Sequence, residues 1–86
     1  MFFDTLKSHG WTELAPEWEY ANGDWHLEFD TGHWMVVSTK HNPRVFSVPA
    51  PRDVDAAWTV KLIEHLCRTD DELHQLRDAV EQSQKQ

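Results

Sequence analysis

Six histidines, one cysteine and fifteen carboxylates are the side chains of this 86-residue chain with the means to do chemistry. A protein metal site needs several such groups converging on one point. His9, His26, His33, His41, His65 and His74 are scattered along the chain, and no two stand four residues apart as a helical ligand pair would. His65 and Cys67 form the one close His/Cys pair, and two residues of helix set them about 160° apart around the axis, too far round to share an ion. A nucleophilic Cys67 would require a neighbouring base and an electropositive, partly open setting. It falls instead in the apolar arc of its helix, so a buried, inert thiol is expected. Glu17, Glu19 and Glu28, flanked by Asp24 and Asp30, fall on one face of a predicted sheet, with Glu17 expected opposite Glu28. Close carboxylates divide into acid and base only where burial separates their pKa values, and an exposed sheet face supplies no burial. No catalytic residue, metal ligand or cofactor site is assigned, and the chain reads as noncatalytic.

The elements that position these residues follow from turn signals and hydrophobic periodicity. Phe2, Phe3 and Leu6 share one side of a helix over 2–9, which Gly10 ends. Trp11 to Pro16 reads as a loop. Asn22-Gly23 predicts a two-residue hairpin turn, placing Trp18 opposite Leu27, Tyr20 opposite Trp25 and Glu19 opposite His26. Thr31-Gly32 predicts a second, placing Phe29 opposite Trp34, Leu27 opposite Val36 and Asp30 beside His33. Both turns select the same aromatic face, and a one-residue slip in either would send that face to solvent. A fourth strand, Arg44 to Val48, follows the turn His41-Asn42-Pro43. A three-residue loop there sets Phe46 and Val48 among the aromatics.

Asp53 is expected to cap a helix over 53–68, whose apolar arc of about 200° is wide enough for two neighbours. Thr69-Asp70-Asp71-Glu72 has the form of a capping box and predicts a new helix over 70–82, with Leu73, Leu76 and Val80 as its apolar stripe and 83–86 as a frayed tail. The expected fold is a single small α+β domain over 1–86. It comprises a short N-terminal helix, a four-stranded antiparallel meander over 17–48, and two C-terminal helices packed on the aromatic face.

A domain of this size hides only about 60% of its unfolded surface, so its core must be dense in large side chains. Five tryptophans, four phenylalanines and one tyrosine meet that need. A single cysteine rules out an internal disulfide. The acidic start at Asp4 does not match a secretion signal, and no apolar run is long enough for a membrane span, so a soluble cytoplasmic protein without membrane association is expected. The net charge is −7, and residues 1–39 carry seven acids against Lys7 alone. Without a basic cluster to neutralise phosphates, direct nucleic-acid binding is not expected.

Met35 and Val37 project onto the outer face of the predicted sheet beside His26 and Glu28. Unless the first helix covers them, they mark an apolar contact site with an acidic rim. The expected partner-binding residues are Glu17, Glu19, His26, Glu28, Met35 and Val37, contacting a protein partner or a second copy of the chain. Two other readings fit the same composition. Spaced carboxylates could imitate nucleic acid and inhibit a protein that binds it. Alternatively a subset of Trp11, Trp18, Trp25 and Trp34 could line a pocket for a sugar or other small ligand, which requires one or two exposed tryptophans.

Overall fold

The computed structural model describes residues 1–40 and 45–84. The chain runs through α1 (Phe2–Ser8), β1 (Thr12–Ala15), β2 (Glu19–Asn22), β3 (Trp25–Asp30), β4 (His33–Ser38), β5 (Val45–Pro49), a 3-10 turn (Asp53–Asp55) and α2 (Ala56–Gln84). The strands form one antiparallel sheet in the order β1-β2-β3-β4-β5. The α+β class and the antiparallel meander are as expected, and the details differ at both ends.

The first difference is a fifth strand. Thr12–Ala15, expected as loop, pairs with β2 through Thr12↔Ala21 and Glu13↔Tyr20, and its register then slips so that Leu14 has no opposite residue. The connection is a tight turn in which the Trp18 N–H donates to the Ala15 carbonyl at 3.0 Å. Pro16 sits at its second position and Glu17, at φ 62°, at its third. That is the φ pattern of a type II turn, for which Pro is favoured at the second position and positive φ is obligatory at the third. Glu17 and Trp18 therefore leave the strand to which the sequence pattern assigned them.

The second difference is the register of the β2–β3 hairpin. Tyr20 faces Leu27, Ala21 faces His26, Asn22 faces Trp25 and Glu19 faces Glu28. The turn residues are Gly23 and Asp24, with positive φ at Gly23 but not Asp24, so Gly23 takes the first central position as in a II′ turn. The shift is two residues, an even number, so every side chain keeps its expected face. The β3–β4 hairpin has the expected register, Asp30↔His33, Phe29↔Trp34 and Leu27↔Val36. Thr31 and Gly32 both take positive φ there. In β5, Phe46 faces Val36 and Val48 faces Trp34, on the aromatic side as expected. The proposed turn at His41-Asn42-Pro43 and the start of the strand at Arg44 lie outside the described residues.

The third difference is at the C-terminal end, where one helix of 29 residues replaces the expected two. Thr69-Asp70-Asp71-Glu72 stays helical because neither Gly nor Pro stops the chain before it, and the acids find partners without a break. Asp70 is buried, with its Oδ2 3.5 Å from His74 Nε2 one turn on. Asp71 accepts a 3.3 Å hydrogen bond from Trp25 Nε1. Asp53 is not the helix cap either. It lies inside the 3-10 turn, which starts after Arg52 with no side-chain cap.

The core is the aromatic face of the sheet closed by both helices. Tyr20, Trp25, Leu27, Trp34, Val36 and Val48 from the strands meet Phe2 and Leu6 of α1 and Val60, Ile63 and Cys67 of α2. Trp34 is its centre, with ring centroids of Phe29, Phe2, Phe3 and Tyr20 between 5.3 and 6.0 Å away. Edge-to-face and tilted contacts of this kind add about 0.5–1.5 kcal/mol per pair beyond the area they bury.

Candidate functional site

Because α1 and α2 both cover the aromatic side, the opposite side of the sheet carries no layer among the described residues. Two cross-strand rows of side chains make up its centre. One row runs Ala21, His26, Val37, Val45 and the next runs Glu19, Glu28, Met35, Ser47. The first row is apolar apart from His26, and Met35 extends it into the second. Val45 is 47% exposed, while Ala21, Val37 and Met35 are half-buried by their neighbours. At the β2 side of this patch the Glu19 and Glu28 carboxylates stand opposite each other. Like charges directly opposed on a sheet destabilise it slightly. His26 sits diagonally across from Glu19, its Nδ1 3.9 Å from Glu19 Oε1.

Five of the six residues expected to bind a partner, Glu19, His26, Glu28, Met35 and Val37, thus share one open surface. Glu17 does not. It sits in the β1–β2 turn on the rim of a different feature, a cleft of about 360 Å³ lined by Phe2, Phe3, Trp18, Phe29 and Trp34. Trp18 is 62% exposed and stands edge-on to Phe29 at 5.8 Å. Asp53 lies on the same rim. A left-handed conformation at a residue other than Gly costs about 1–2 kcal/mol, so the turn that brings Glu17 and Trp18 to the cleft is held against a local preference. Trp18 alternates in phase with Tyr20, which is why the sequence pattern counted it as core, and only the tight turn removes it from the strand.

A polar cluster lies at the inner edge of the sheet. The Tyr20 hydroxyl donates to Glu13 Oε2 at 2.8 Å, and Lys7 Nζ lies 3.3 Å from the same oxygen. The hydrogen bond from Tyr20 holds the Glu13 carboxyl below its ordinary range, against the opposing effect of burial and with smaller help from the hydrogen bond and charge of Lys7. Burial, reinforced by Glu13, pushes the Tyr20 phenol up to about 12. These shifts lock the groups in their resting states, ionised carboxylate and neutral phenol, and poise neither for proton transfer near neutral pH. Cys67 is buried, and burial together with the negative Asp71, Asp70 and Glu64 pushes its thiol up to about 12, which suppresses the thiolate. The indole N–H of Trp11 is buried with no acceptor among the described residues.

The described histidines stay apart. His9 Nδ1 meets Glu64 at 2.8 Å, joining α1 to α2, while His65 lies 3.2 Å from an Arg68 nitrogen and His33 Nδ1 3.2 Å from the Thr31 carbonyl. No group of three or more His, Cys, Asp or Glu side chains able to hold a metal ion occurs among the described residues. Nor is any helix among them long and apolar enough to cross a membrane. Comparison with protein-family models, with curated proteins and with solved structures found no match for this chain.

Proposed function

We propose that this protein is a noncatalytic interaction module that offers the outer face of its sheet to a protein partner. The observation that supports this most directly is the uncovered apolar row Ala21, Val37 and Val45, continued by Met35 and bordered by Glu19 and Glu28. Sheet faces left open to water normally alternate to polar side chains, and an apolar centre with a polar rim is the anatomy of a contact surface. The acidic rim selects a partner whose complementary surface is basic around an apolar centre, and such complementarity acts mainly on association rate and specificity.

The test is capture of bound proteins from a lysate of the source organism by the tagged wild-type chain and two variants. Glu19→Lys with Glu28→Lys reverses the rim, and Val37→Asp places a charge in the apolar row. A partner held by the wild type, weakened by salt and lost with both variants is the expected result. Binding that survives both variants overturns the reading.

A second reading has its own observation, the exposure of Trp18 over the aromatic cleft. A small planar or sugar-like ligand stacked on Trp18 would contact Phe29 below and Glu17 and Asp53 at the rim. In this case Trp18→Ala removes a ligand-induced fluorescence change while leaving thermal stability nearly unchanged. A Trp18→Ala protein that responds to the ligand as before excludes the cleft.

A further inference from the structure

Around α2 the large apolar side chains fall on two stripes, and the second is half-buried against the core at Leu62 and Leu66 and open to solvent from Leu73 onward. One, made of Ala56, Val60, Ile63 and Cys67, is buried under the sheet and α1. The other runs Leu62, Leu66, Thr69, Leu73, Leu76, Val80, with steps that alternate four and three residues, and Trp58 lies beside its start. Leu73, Leu76 and Val80 are 53, 62 and 48% exposed, and Trp58 is exposed as well. From Gln75 to Gln84 every described side chain is exposed. The second half of the helix therefore projects past the sheet, which makes the molecule 51 Å long and 22 Å across. A helical arm of this length is marginal in water without a packing partner. From Leu62 to Val80 the stripe is about 27 Å long and, at the width of a helix, about 10 Å broad, with its open part at Leu73, Leu76 and Val80, and exposed apolar surface of this kind marks a contact site.

We infer that a second copy of this chain covers the stripe, the two α2 helices pairing in parallel as a short coiled coil. Steps of four and three are the heptad signature that keeps an apolar seam facing an identical helix. Leu66, Leu73 and Val80 occupy one seam position, and Leu62, Thr69 and Leu76 the other. Charge sets the partner and the direction. Glu72 and Arg77 flank the seam on opposite sides, five residues apart, so in a parallel, in-register pair Glu72 meets Arg77 of the second copy, twice by symmetry. Reversing one helix would oppose Glu72 to its own copy. In the single chain Arg77 Nε lies 3.2 Å from Glu81 Oε1 on its own helix, an exposed pair that contributes little and is readily exchanged. The geometry also leaves room. The buried stripe is centred about 130° around the helix from the open one, so a two-fold axis along the helices puts the two sheets on opposite sides of the pair. The sheet's outer face stays free, and the dimer carries two copies of it.

Sedimentation of the wild-type chain from low micromolar to millimolar concentration should show a monomer–dimer equilibrium in the micromolar range, since the seam is at the small end of stable interfaces. Leu73→Lys with Leu76→Lys should remain monomeric throughout. Both residues lie outside the core, and unchanged tryptophan emission would show that the sheet is folded. Val80→Cys should give a disulfide-linked dimer on mild oxidation, because parallel pairing sets Val80 against itself. Glu72→Arg should weaken the dimer several-fold, and Glu72→Arg with Arg77→Glu should restore it. Glu19→Lys with Glu28→Lys should leave it intact, which separates this inference from the proposed use of the outer face. A wild-type monomer at millimolar concentration overturns the inference. So does a dimer lost on Val37→Asp but retained by the Leu73 and Leu76 variant, or one in which Val80→Cys fails to cross-link.

Discussion

Between Ala56 and Asp70, α2 buries six side chains against the sheet and α1, whereas from Gln75 to Gln84 it buries none. Both stretches are helical and both carry regularly spaced large apolar residues, so neither local propensity nor periodicity distinguishes them. What differs is the neighbour. The first stretch lies where the five-stranded sheet can reach it, and the second begins where the sheet ends. Trp25, whose indole donates to Asp71, and the Asp70–His74 pair mark the boundary. The contrast separates two settings of an apolar stripe, since one half of α2 is packed into the fold and the other half is exposed.

The strongest way to break this comparison is to remove a side chain from each half. Ile63→Ala empties a fully buried site and should cost about 2–5 kcal/mol in chemical denaturation. That is a large part of the total stability of a domain this size. A cost under about 0.5 kcal/mol, the range of surface changes, would mean that the sheet-packed half is not the core. Gln75→Pro should come next. Proline inside a helix costs about 3 kcal/mol or more, but here the loss should stay local, lowering the far-ultraviolet helix signal without shifting the tryptophan emission of the core. Cooperative unfolding of the whole chain would show that the distal half is integral to the fold.

Tyr20 sharpens the same contrast from the sheet side. Its phenol is held at about 12 in the folded state, above its ordinary value of 10. The fold therefore favours the protonated form. That contribution is complete below pH 10 and is lost as pH rises from 10 to 12. Stability should fall across that window, and tyrosinate absorbance, which reads Tyr20 alone because it is the chain's one tyrosine, should lag behind that of a free phenol. An ordinary titration at pH 10 would show that the hydroxyl is open to water. The smallest effect is expected in the distal half. Leu76→Ala at concentrations where the chain is monomeric should shift stability by under about 0.5 kcal/mol, because that side chain meets solvent.

How much of this was legible in the sequence differs from element to element. The β3–β4 hairpin could be read to the residue because Thr31-Gly32 has one place to turn, and alternation on both sides confirms it. The β2–β3 hairpin could be read only to its faces. Gly23 can occupy either central position of a two-residue turn, and the choice moves the pairing by two residues without exchanging inside for outside. Strand β1 was not legible, since Pro16 between Ala15 and Glu17 looks like the end of structure rather than the corner of a type II turn. Five of the six expected interface residues do share the outer face, because strand alternation decides that placement. Glu17 was misplaced for the same reason as Trp18, a turn that needed positive φ at a residue giving no sign of it.

The alternation of large apolar and charged residues, the positive-φ demands of Gly23 and Gly32, and the breaks at Gly10 and Pro51 determined that this chain would form an antiparallel sheet with one aromatic face and helices to cover it. They act locally, through backbone sterics and side-chain direction, and so can be read locally. Whether α2 breaks at Thr69 was decided only in the tertiary structure. A capping box can start a helix but cannot by itself stop the one before it, and the partners that keep Asp70 and Asp71 within one continuous helix come from the next turn of the helix and from the sheet. That continuity carries Leu73, Leu76 and Val80 beyond the last strand, where no part of the described chain reaches them.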